Sequence, residues 1–285
     1  AVVTMARSTN VPTDAQGNGR FSASLQLDVT TADTSIGASE AFAIQYKVEG
    51  YDFRQLAGQN GTLSFWVAAT KPGQYGVVIM NSDNGRCYPV SYTISNANTW
   101  EKKSIVIPFT DCANGTWDFT NGIGLKIRFV LAAGTNYANG TNATWGTTGL
   151  CGVSGQVNGL DSTDNNFYLT GIQLEKGSVA TPFEYRTFAT ELALCQRYYE
   201  VSGGRTLQCA IISSDYVNFA SYRVTKRAAP TVSITAYSSG TAGCVRDVTA
   251  NGDIAATCAG HLDHLEITGA MQPAHLYGIQ TWAAS

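Results

Sequence analysis

The sequence is short of the groups that most enzymes use for catalysis. Its 285 residues include only three histidines, and it contains no GxSxG, HExxH or P-loop motif and no GxGxxG followed by a helix. Charged residues make up only 14% of the chain, well below the usual share of about a quarter. We therefore expect a protein that is not an enzyme. Two carboxylates flanking a glycosidic bond are the catalytic arrangement that the sequence leaves open.

Long apolar runs, clustered basic residues and paired cysteines are also missing. No stretch approaches the roughly 18 apolar residues of a membrane helix, so membrane insertion is not expected. With a formal net charge of −3 and no basic cluster beyond Lys226 and Arg227, nucleic acid is not an expected partner. The seven cysteines form no CxxC pair, and we expect free thiols, although a bridge between Cys244 and Cys258 stays open. The N-terminal AVVTMARS has no signal-peptide core, and we interpret it as the start of a fragment or of a processed chain.

Glycine is abundant instead, with 29 residues, and Asn, Ser and Thr fill the segments between short apolar stretches, as in an all-β chain. The clearest strand covers residues 123–131, where five apolar side chains share one face and Lys126 and Arg128 lie on the other. Eight strands are predicted in the N-terminal part: 21–29, 41–48, 63–69, 75–80, 90–94, 100–107, 123–131 and 167–174. We interpret them as an antiparallel jelly-roll β-sandwich, the architecture of many carbohydrate-binding modules.

The segment from residue 167 to residue 200 changes character twice. A closing strand is followed by Gly177 and Pro182, which take the backbone out of the sheet. From Thr190, a residue able to cap a helix, apolar residues recur at helical spacing up to residue 200. We therefore predict a jelly-roll domain over 1–186, an elbow and short amphipathic helix over 187–203, and a smaller C-terminal β-sandwich domain over 204–285.

Strands of the second domain are predicted from shorter apolar stretches. They cover residues 207–213, 217–225, 231–237, a short segment near 245, 264–268 and 276–282. Lys226 to Pro230 is expected to be a connection, because the residue before a proline is biased towards extended backbone.

The run QLEKGSVATPFEYR, followed by ELALCQRYYE, resembles a segment of tail-fibre and related virion proteins of tailed bacteriophages, marine ones especially. The resemblance extends upstream through YKVEGYDFRQLAG, TLSFWV, ANTWEKKSIVIP, NGIGLKIRF and NNFYLTGIQLE, and more loosely downstream through VNFASYRVTKRAAPTVSI. It covers nearly the whole chain and is most specific in the N-terminal half.

This resemblance implies a fibre or receptor-recognition protein on the virion surface, without catalysis and assembled in the host cytoplasm. The partners it implies are a host-surface glycan or protein receptor, other virion proteins, and two further copies of the chain in a homotrimer. Two alternatives stay open: a glycan-degrading fibre enzyme, and a purely structural virion component such as a capsid or neck fibre.

Receptor contacts are expected in polar loops, which can vary without disturbing a sheet. The longest polar run of the second domain is 237–253, and its leading candidate contacts are Tyr237 and Arg246, together with Asp253.

A competing set of contacts lies in the long loops 110–121 and 133–166 of the first domain. Trp117, Tyr137 and Trp145 would stack on a sugar ring there. We favour the alternative that the two tryptophans fold back as loop anchors, since isolated surface aromatics are ordinary.

The helix supplies a candidate subunit interface. Leu192, Cys195 and Tyr199 recur on one face of a helix that is too short to be stable alone, so it must dock on something. The resemblance to fibre proteins favours sister helices around a three-fold axis.

Two polar clusters carry the ligand types of metal sites, and no other cofactor is expected. Asp161 and Asp164 offer hard oxygen ligands, so structural calcium is a candidate, although an Asx-rich turn is the favoured explanation of the run. His261, Asp263 and His264 are weak candidates for a transition metal, and their spacing suits a polar turn better.

Overall fold

The computed structural model describes residues 1–13, 21–147, 152–207, 209–212, 215–236, 239–247, 251–269 and 277–284. The chain divides into two compact units, Ala1–Glu184 and Tyr185–Ser285, so that the segment 187–203 falls inside the second unit. In the described part of each unit, strands are antiparallel and helices few, which confirms the predicted all-β class. None of the helices in these ranges is long and apolar enough to cross a membrane.

The eight strands predicted for the first unit are all present, with bounds that differ by a few residues. The strands are β1 (Val2–Ser8), β2 (Ser24–Thr31), β3 (Ala41–Glu49), β4 (Asn60–Ala69), β5 (Gly73–Met80), β6 (Cys87–Ile94), β7 (Glu101–Pro108), β8 (Ile123–Ala133) and β9 (Asn166–Lys176). A one-turn helix α1 (Gly50–Phe53) follows β3, and a 3-10 turn (Phe109–Ala113) follows β7. Strand β1 was not predicted, because most of its side chains are exposed and its sequence does not alternate.

The strand order of the first unit is that of a jelly roll. One sheet has the order β1-β2-β9-β4-β7 and the other the order β3-β8-β5-β6. The edge strand β1 is set aside, and the eight strands β2 to β9 are counted from one to eight. Strands one, eight, three and six then form one sheet, and strands two, seven, four and five form the other. This interleaving of two Greek keys confirms the predicted jelly-roll sandwich.

Strand β4 lies at the centre of the core and is buried on both faces. Leu63, Phe65 and Val67 point between the two sheets, where the Phe65 ring meets the Phe129 ring edge to face at 5.0 Å. The alternate residue Trp66 points to the outer face of its sheet. This double burial explains why β4 is an almost continuous apolar run.

A bulge at Gly171 redirects β9. Trp66 pairs with Thr170 and Ser64 pairs with Gln173, so the register shifts between the two pairs. Gly171 has a φ of +58°, and a Cβ atom there would lie 2.5 Å from the Phe21 ring. Only glycine can adopt this backbone conformation at low cost and also avoid a clash with the Phe21 ring.

The second unit contains a helix and a single connected sheet. After α2 (Phe188–Gln196) come β10 (Glu200–Leu207), β11 (Cys209–Ile212), β12 (Asp215–Ser221), β13 (Val232–Ala236), β14 (Cys244–Asp247), β15 (Gly252–Gly260), β16 (His264–Gly269) and β17 (Tyr277–Ala284). The sheet order is β10-β17-β14-β15-β16-β12-β11, and β13 also pairs with β17. The first half of β15 pairs with β14 and its second half with β16, so this strand joins the two halves of the sheet.

Strands β10 and β15 were not predicted. The prediction extended the helix to residue 200, whereas Glu200 already begins β10. The sequence of β15, GDIAATCAG, is rich in Gly and Ala, which are depleted in strands.

The start of α2 differs from the prediction. Its cap is Thr187, whose backbone is extended and whose Oγ1 accepts a hydrogen bond from the Thr190 N–H at 3.4 Å. Thr190 therefore lies in the first turn, and the prediction of a helix capped by Thr190 is wrong by three residues. Both hydroxyl residues suit a helix start, and the sequence does not separate them.

The cysteines of the described side chains are free thiols at positions 87, 112, 195, 244 and 258. Cys244 and Cys258 are therefore not bridged to one another. Burial raises the pKa of the Cys258 thiol to about 11, which makes it unreactive at neutral pH.

A buried ion pair fixes the end of α2. Lys226 Nζ lies 2.8 Å from Glu200 Oε2, and each side chain is only 2% exposed. Lys226 also donates to the carbonyl of Gln196 and lies 4.8 Å from the centre of the Tyr222 ring. The Arg223 N–H donates to the Glu200 carboxylate at 3.2 Å. The pair therefore ties the loop after β12 to the junction of α2 and β10.

We expect Lys226→Met to lower the free energy of unfolding by about 3–5 kcal/mol, because Glu200 would keep a buried charge without its counter-ion. The double variant Glu200→Gln/Lys226→Met should lose less than the sum of the two single losses. Urea denaturation followed by circular dichroism measures the free energy of unfolding of the two single variants and of the double variant. Lys102→Met, at an exposed position on β7, is the matched control and should change stability by less than about 0.5 kcal/mol. Strict additivity of the two single losses would contradict this role of the pair.

Candidate functional site

The segment 177–184, which precedes the predicted 187–203 linker and is called the elbow from here on, folds back beside β9. The Gly177 N–H donates to the Asn60 carbonyl at 2.9 Å, and Thr62 Oγ1 donates to the Gly177 carbonyl at 2.7 Å. Further along the elbow, the Phe183 ring packs edge to face on the Phe21 ring at 5.2 Å. Both ends of the elbow are therefore anchored to the first unit.

Two side chains of β9 hold the middle of the elbow. The Glu175 carboxylate accepts from the Thr181 N–H at 2.9 Å and from the Thr181 hydroxyl at 2.6 Å, and Gln173 Oε1 accepts from the Glu184 N–H at 2.9 Å. Burial alone would raise the pKa of Glu175, but hydrogen bonds from Thr181 and Gln173 outweigh it and lower the pKa below its usual 4.5. The carboxylate is therefore ionised at neutral pH and serves as an anchor. These contacts give a structural reason for Gln173, Glu175 and Thr181 within the QLEKGSVATPFEYR run.

The helix α2 exposes apolar side chains to solvent. The predicted interface residues are all exposed: Leu192 by 42%, Tyr199 by 55%, and Cys195 as well. Phe188 is 81% exposed at the start of the helix and was not among the predicted residues. We call Phe188, Leu192, Leu194, Tyr198 and Tyr199 the α2 surface. Exposed apolar area of this kind marks contact sites between proteins.

Trp145 packs against groups from β6, β7 and two loops of the first unit. Its indole N–H donates to the Pro108 carbonyl at 2.9 Å. The Arg86 guanidinium lies 5.9 Å from the ring centre, Tyr88 packs at 5.2 Å, and Trp117 meets it edge on at 5.8 Å. The ring and the N–H of Trp145 are thus engaged within the protein, which favours the loop-anchor interpretation.

Trp117 belongs to the same cluster. Its N–H donates to the Asn114 carbonyl at 2.8 Å, and its ring lies 5.1 Å from that of the buried Phe53. Phe53 and Arg86, which complete the cluster, are residues that sequence analysis missed, because their proximity depends on tertiary folding. The sugar site on these two indoles stays a prediction.

Tyr137 does not belong to that cluster. It follows the end of β8, where its N–H donates to the Gly134 carbonyl and its carbonyl accepts from the Gly152 N–H. The ring contacts described for Trp117 and Trp145 do not include Tyr137.

The predicted receptor loop of the second unit is not a loop throughout. It contains β14 and the start of β15, where Arg246 pairs with Asp253. Asp253 Oδ2 accepts hydrogen bonds from Ser239 Oγ at 2.6 Å and from Thr241 Oγ1 at 2.7 Å, so it shapes the segment that leads into β14. Tyr237 lies outside the described residues, as does the side chain of Arg246.

The calcium candidates form a turn that is closed by protein groups. Asp161 is paired with the Lys71 ammonium and also accepts from Asn165 Nδ2 at 2.8 Å. The Asp164 N–H donates to Ser162 Oγ at 3.1 Å. Because a lysine already neutralises Asp161, hydrogen bonds within the chain account for this turn.

The histidine cluster forms the turn between β15 and β16. The rings of His261 and His264 stack at 4.5 Å, with Asp263 Oδ1 2.7 Å from His264 Nδ1 and Glu266 Oε2 3.4 Å from His261 Nε2. The hydrogen bond with His264 lowers the pKa of Asp263. Within the described ranges, no group of three or more His, Cys, Asp or Glu residues is arranged to hold a metal ion.

No family model and no curated protein matches this chain. Among solved structures it is similar to the family 11 carbohydrate-binding module from Clostridium thermocellum in complex with a β-1,3-1,4-mixed-linked tetrasaccharide, at 14% identity and a TM-score of 0.32 over 63% of this chain and 85% of that chain. It is also similar to TmCBM61 in complex with β-1,4-galactotriose, at 10% identity and a TM-score of 0.28, over 61% of this chain and 88% of that one. The enzymatically active domain of tailspike protein 4 from Bacteriophage CBA120 shares 14% identity at a TM-score of 0.31, over 62% of this chain and 18% of that chain. The jelly-roll assignment itself rests on the strand order.

Proposed function

We propose that this chain is a non-enzymatic fibre or spike protein on the virion surface of a tailed bacteriophage, and that it recognises a glycan on the host cell. One observation carries the proposal. The run that resembles fibre proteins folds as the elbow, which is bonded to the first unit's last strand, and as α2, whose surface is exposed. A structural anchor beside a contact surface suits a subunit of a larger assembly.

The α2 surface is where subunits of a homotrimer would meet. It combines two leucines, two tyrosines and a phenylalanine on one short helix and the residues directly after it. A helix of nine residues gains most of its stability from packing, so covering this surface would stabilise it. Aromatic residues are also enriched at protein interfaces.

Receptor contacts would lie in the segment 237–253 of the second unit. Within it, Ser239 and Thr241 donate hydrogen bonds to Asp253, which holds these two residues beside the start of β15. The alternative surface around Trp117 and Trp145 has its indole N–H groups bonded to carbonyls of the chain, which supports placing recognition elsewhere. A glycan-degrading enzyme is the alternative function, and host polysaccharide incubated with the protein would then release reducing ends.

We expect the labelled full-length chain to adsorb to host cells, and Arg246→Ala to weaken adsorption by about 30-fold or more, as for a hot-spot contact. Tyr137→Ala is the matched control, a loop residue in the first unit that should leave adsorption unchanged. Adsorption isotherms on whole cells provide the measurement. Adsorption that is lost in Tyr137→Ala and kept in Arg246→Ala would show that recognition lies in the first unit and would contradict the proposal.

Light scattering of the purified chain at micromolar concentration should report a trimer, and Leu192→Asp should dissociate it, because a carboxylate would be buried in an apolar contact. Val179→Asp introduces the same charge at a residue of the elbow that is 77% exposed, so it should leave the trimer intact. A wild-type monomer would rule out the trimer, and a trimeric Leu192→Asp variant would remove α2 from its interface.

A further inference from the structure

Three cations lie together on the outer face of the four-stranded sheet. In the antiparallel register of β3 and β8, Lys47 is directly opposite Lys126, and Gln45 is opposite Arg128. Lys126 and Arg128 alternate with the core residue Ile127, so both point away from the sandwich core. Like charges directly opposite each other destabilise a strand pair, so this arrangement needs a reason other than folding.

Lys126 is buried without a carboxylate partner in the part of the chain that the structure describes. It is 8% exposed, and its Nζ donates to the Ser82 carbonyl and to Asn84 Oδ1, the latter at 3.0 Å. Both acceptors are neutral. Burial lowers the pKa of Lys126, and the charges of Arg128 and Lys47 lower it further, while that of Asp83 raises it. The hydrogen-bond acceptors of Lys126 are thus neutral, and the Asp83 carboxylate offsets only part of the positive charge that Lys47, Lys126 and Arg128 bring together.

The groups around these cations are held in place. Arg128 Nε donates to Gln45 Oε1 at 2.7 Å, which orients the guanidinium. The turn that contacts Lys126 is closed by the Arg86 N–H, which donates to Asn81 Oδ1 at 3.0 Å. Asn81 in turn donates to the Thr116 carbonyl at 3.0 Å. A site whose donors are already fixed loses less conformational freedom when a ligand binds.

We propose that Lys47, Lys126 and Arg128 form a binding site for the anionic group of an acidic saccharide, either a uronate carboxylate or a sulfate ester. A guanidinium can bind such a group through two parallel hydrogen bonds, and the exposed Lys47 can close on it from the neighbouring strand. Lys126 is buried next to these two residues and contributes the electrostatic field of its positive charge. The proposal takes the class of ligand from the proposed function, but the site lies in the first unit and shares no residue with the segment 237–253.

The test is isothermal titration of the full-length chain with oligogalacturonate and with dextran sulfate oligosaccharides, with neutral dextran as the blank. We expect at least one of the two anionic probes to bind. The probe that binds more tightly shows whether the site prefers a carboxylate or a sulfate. Arg128→Gln and Lys47→Gln should each weaken binding by about tenfold or more. Lys102→Gln, which removes an exposed lysine from the other sheet, should leave binding unchanged. Binding should also weaken as the salt concentration rises.

Three outcomes would overturn the proposal: no heat with either anionic probe, an equal loss of binding in Lys102→Gln, or equally tight binding of a short DNA duplex. Because Lys47 is exposed, Lys47→Gln tests the site even where Arg128→Gln lowers the melting temperature. Failure of host-cell adsorption with intact binding of the acidic probe would count against the proposed function alone.

Discussion

Burial of β4 on both of its faces is the constraint on which the first unit depends. Its inner face packs against the second sheet, and its outer face carries Trp66, which needs cover from outside the sheet. Trp100 and Phe21 supply that cover, and the elbow locks it by placing Phe183 on Phe21. The elbow is therefore part of the folding of the sandwich, and its Glu175 and Thr181 contacts explain the polar residues of the run as well as the apolar ones.

In the second unit, a buried ion pair holds the end of α2 in place. Glu200 and Lys226 are buried together, and they join the helix end to a loop that is distant in sequence. A buried pair contributes little net stability compared with apolar residues, but it penalises every arrangement in which one charge is buried alone. The helix end from which the α2 surface projects is fixed in this way.

Sequence patterns predicted most of the first unit, because a half-buried strand must alternate and β8 and β9 do so clearly. They failed for strands whose sequence does not alternate between apolar and polar residues and which form through pairing with a neighbour. Strand β1 is mostly exposed, and β15 is rich in Gly and Ala. The site residues were harder to predict. Whether Trp145 stacks on a ligand or anchors a loop depends on Arg86 and Tyr88, which are brought to it by tertiary folding. The cations of β8 are visible in the sequence, but their opposition to Lys47 depends on the register with β3.

The proposed role is that of a virion protein that binds glycans without cleaving them, and one incubation tests this role most directly. The full-length chain is applied to an array of bacterial surface glycans that includes acidic ones, and reducing ends are measured in a parallel incubation with the glycans that it retains. The account predicts selective retention of acidic glycans with no reducing ends above the protein-free blank. Release of reducing ends, or the absence of retention on every glycan of the array, would contradict it.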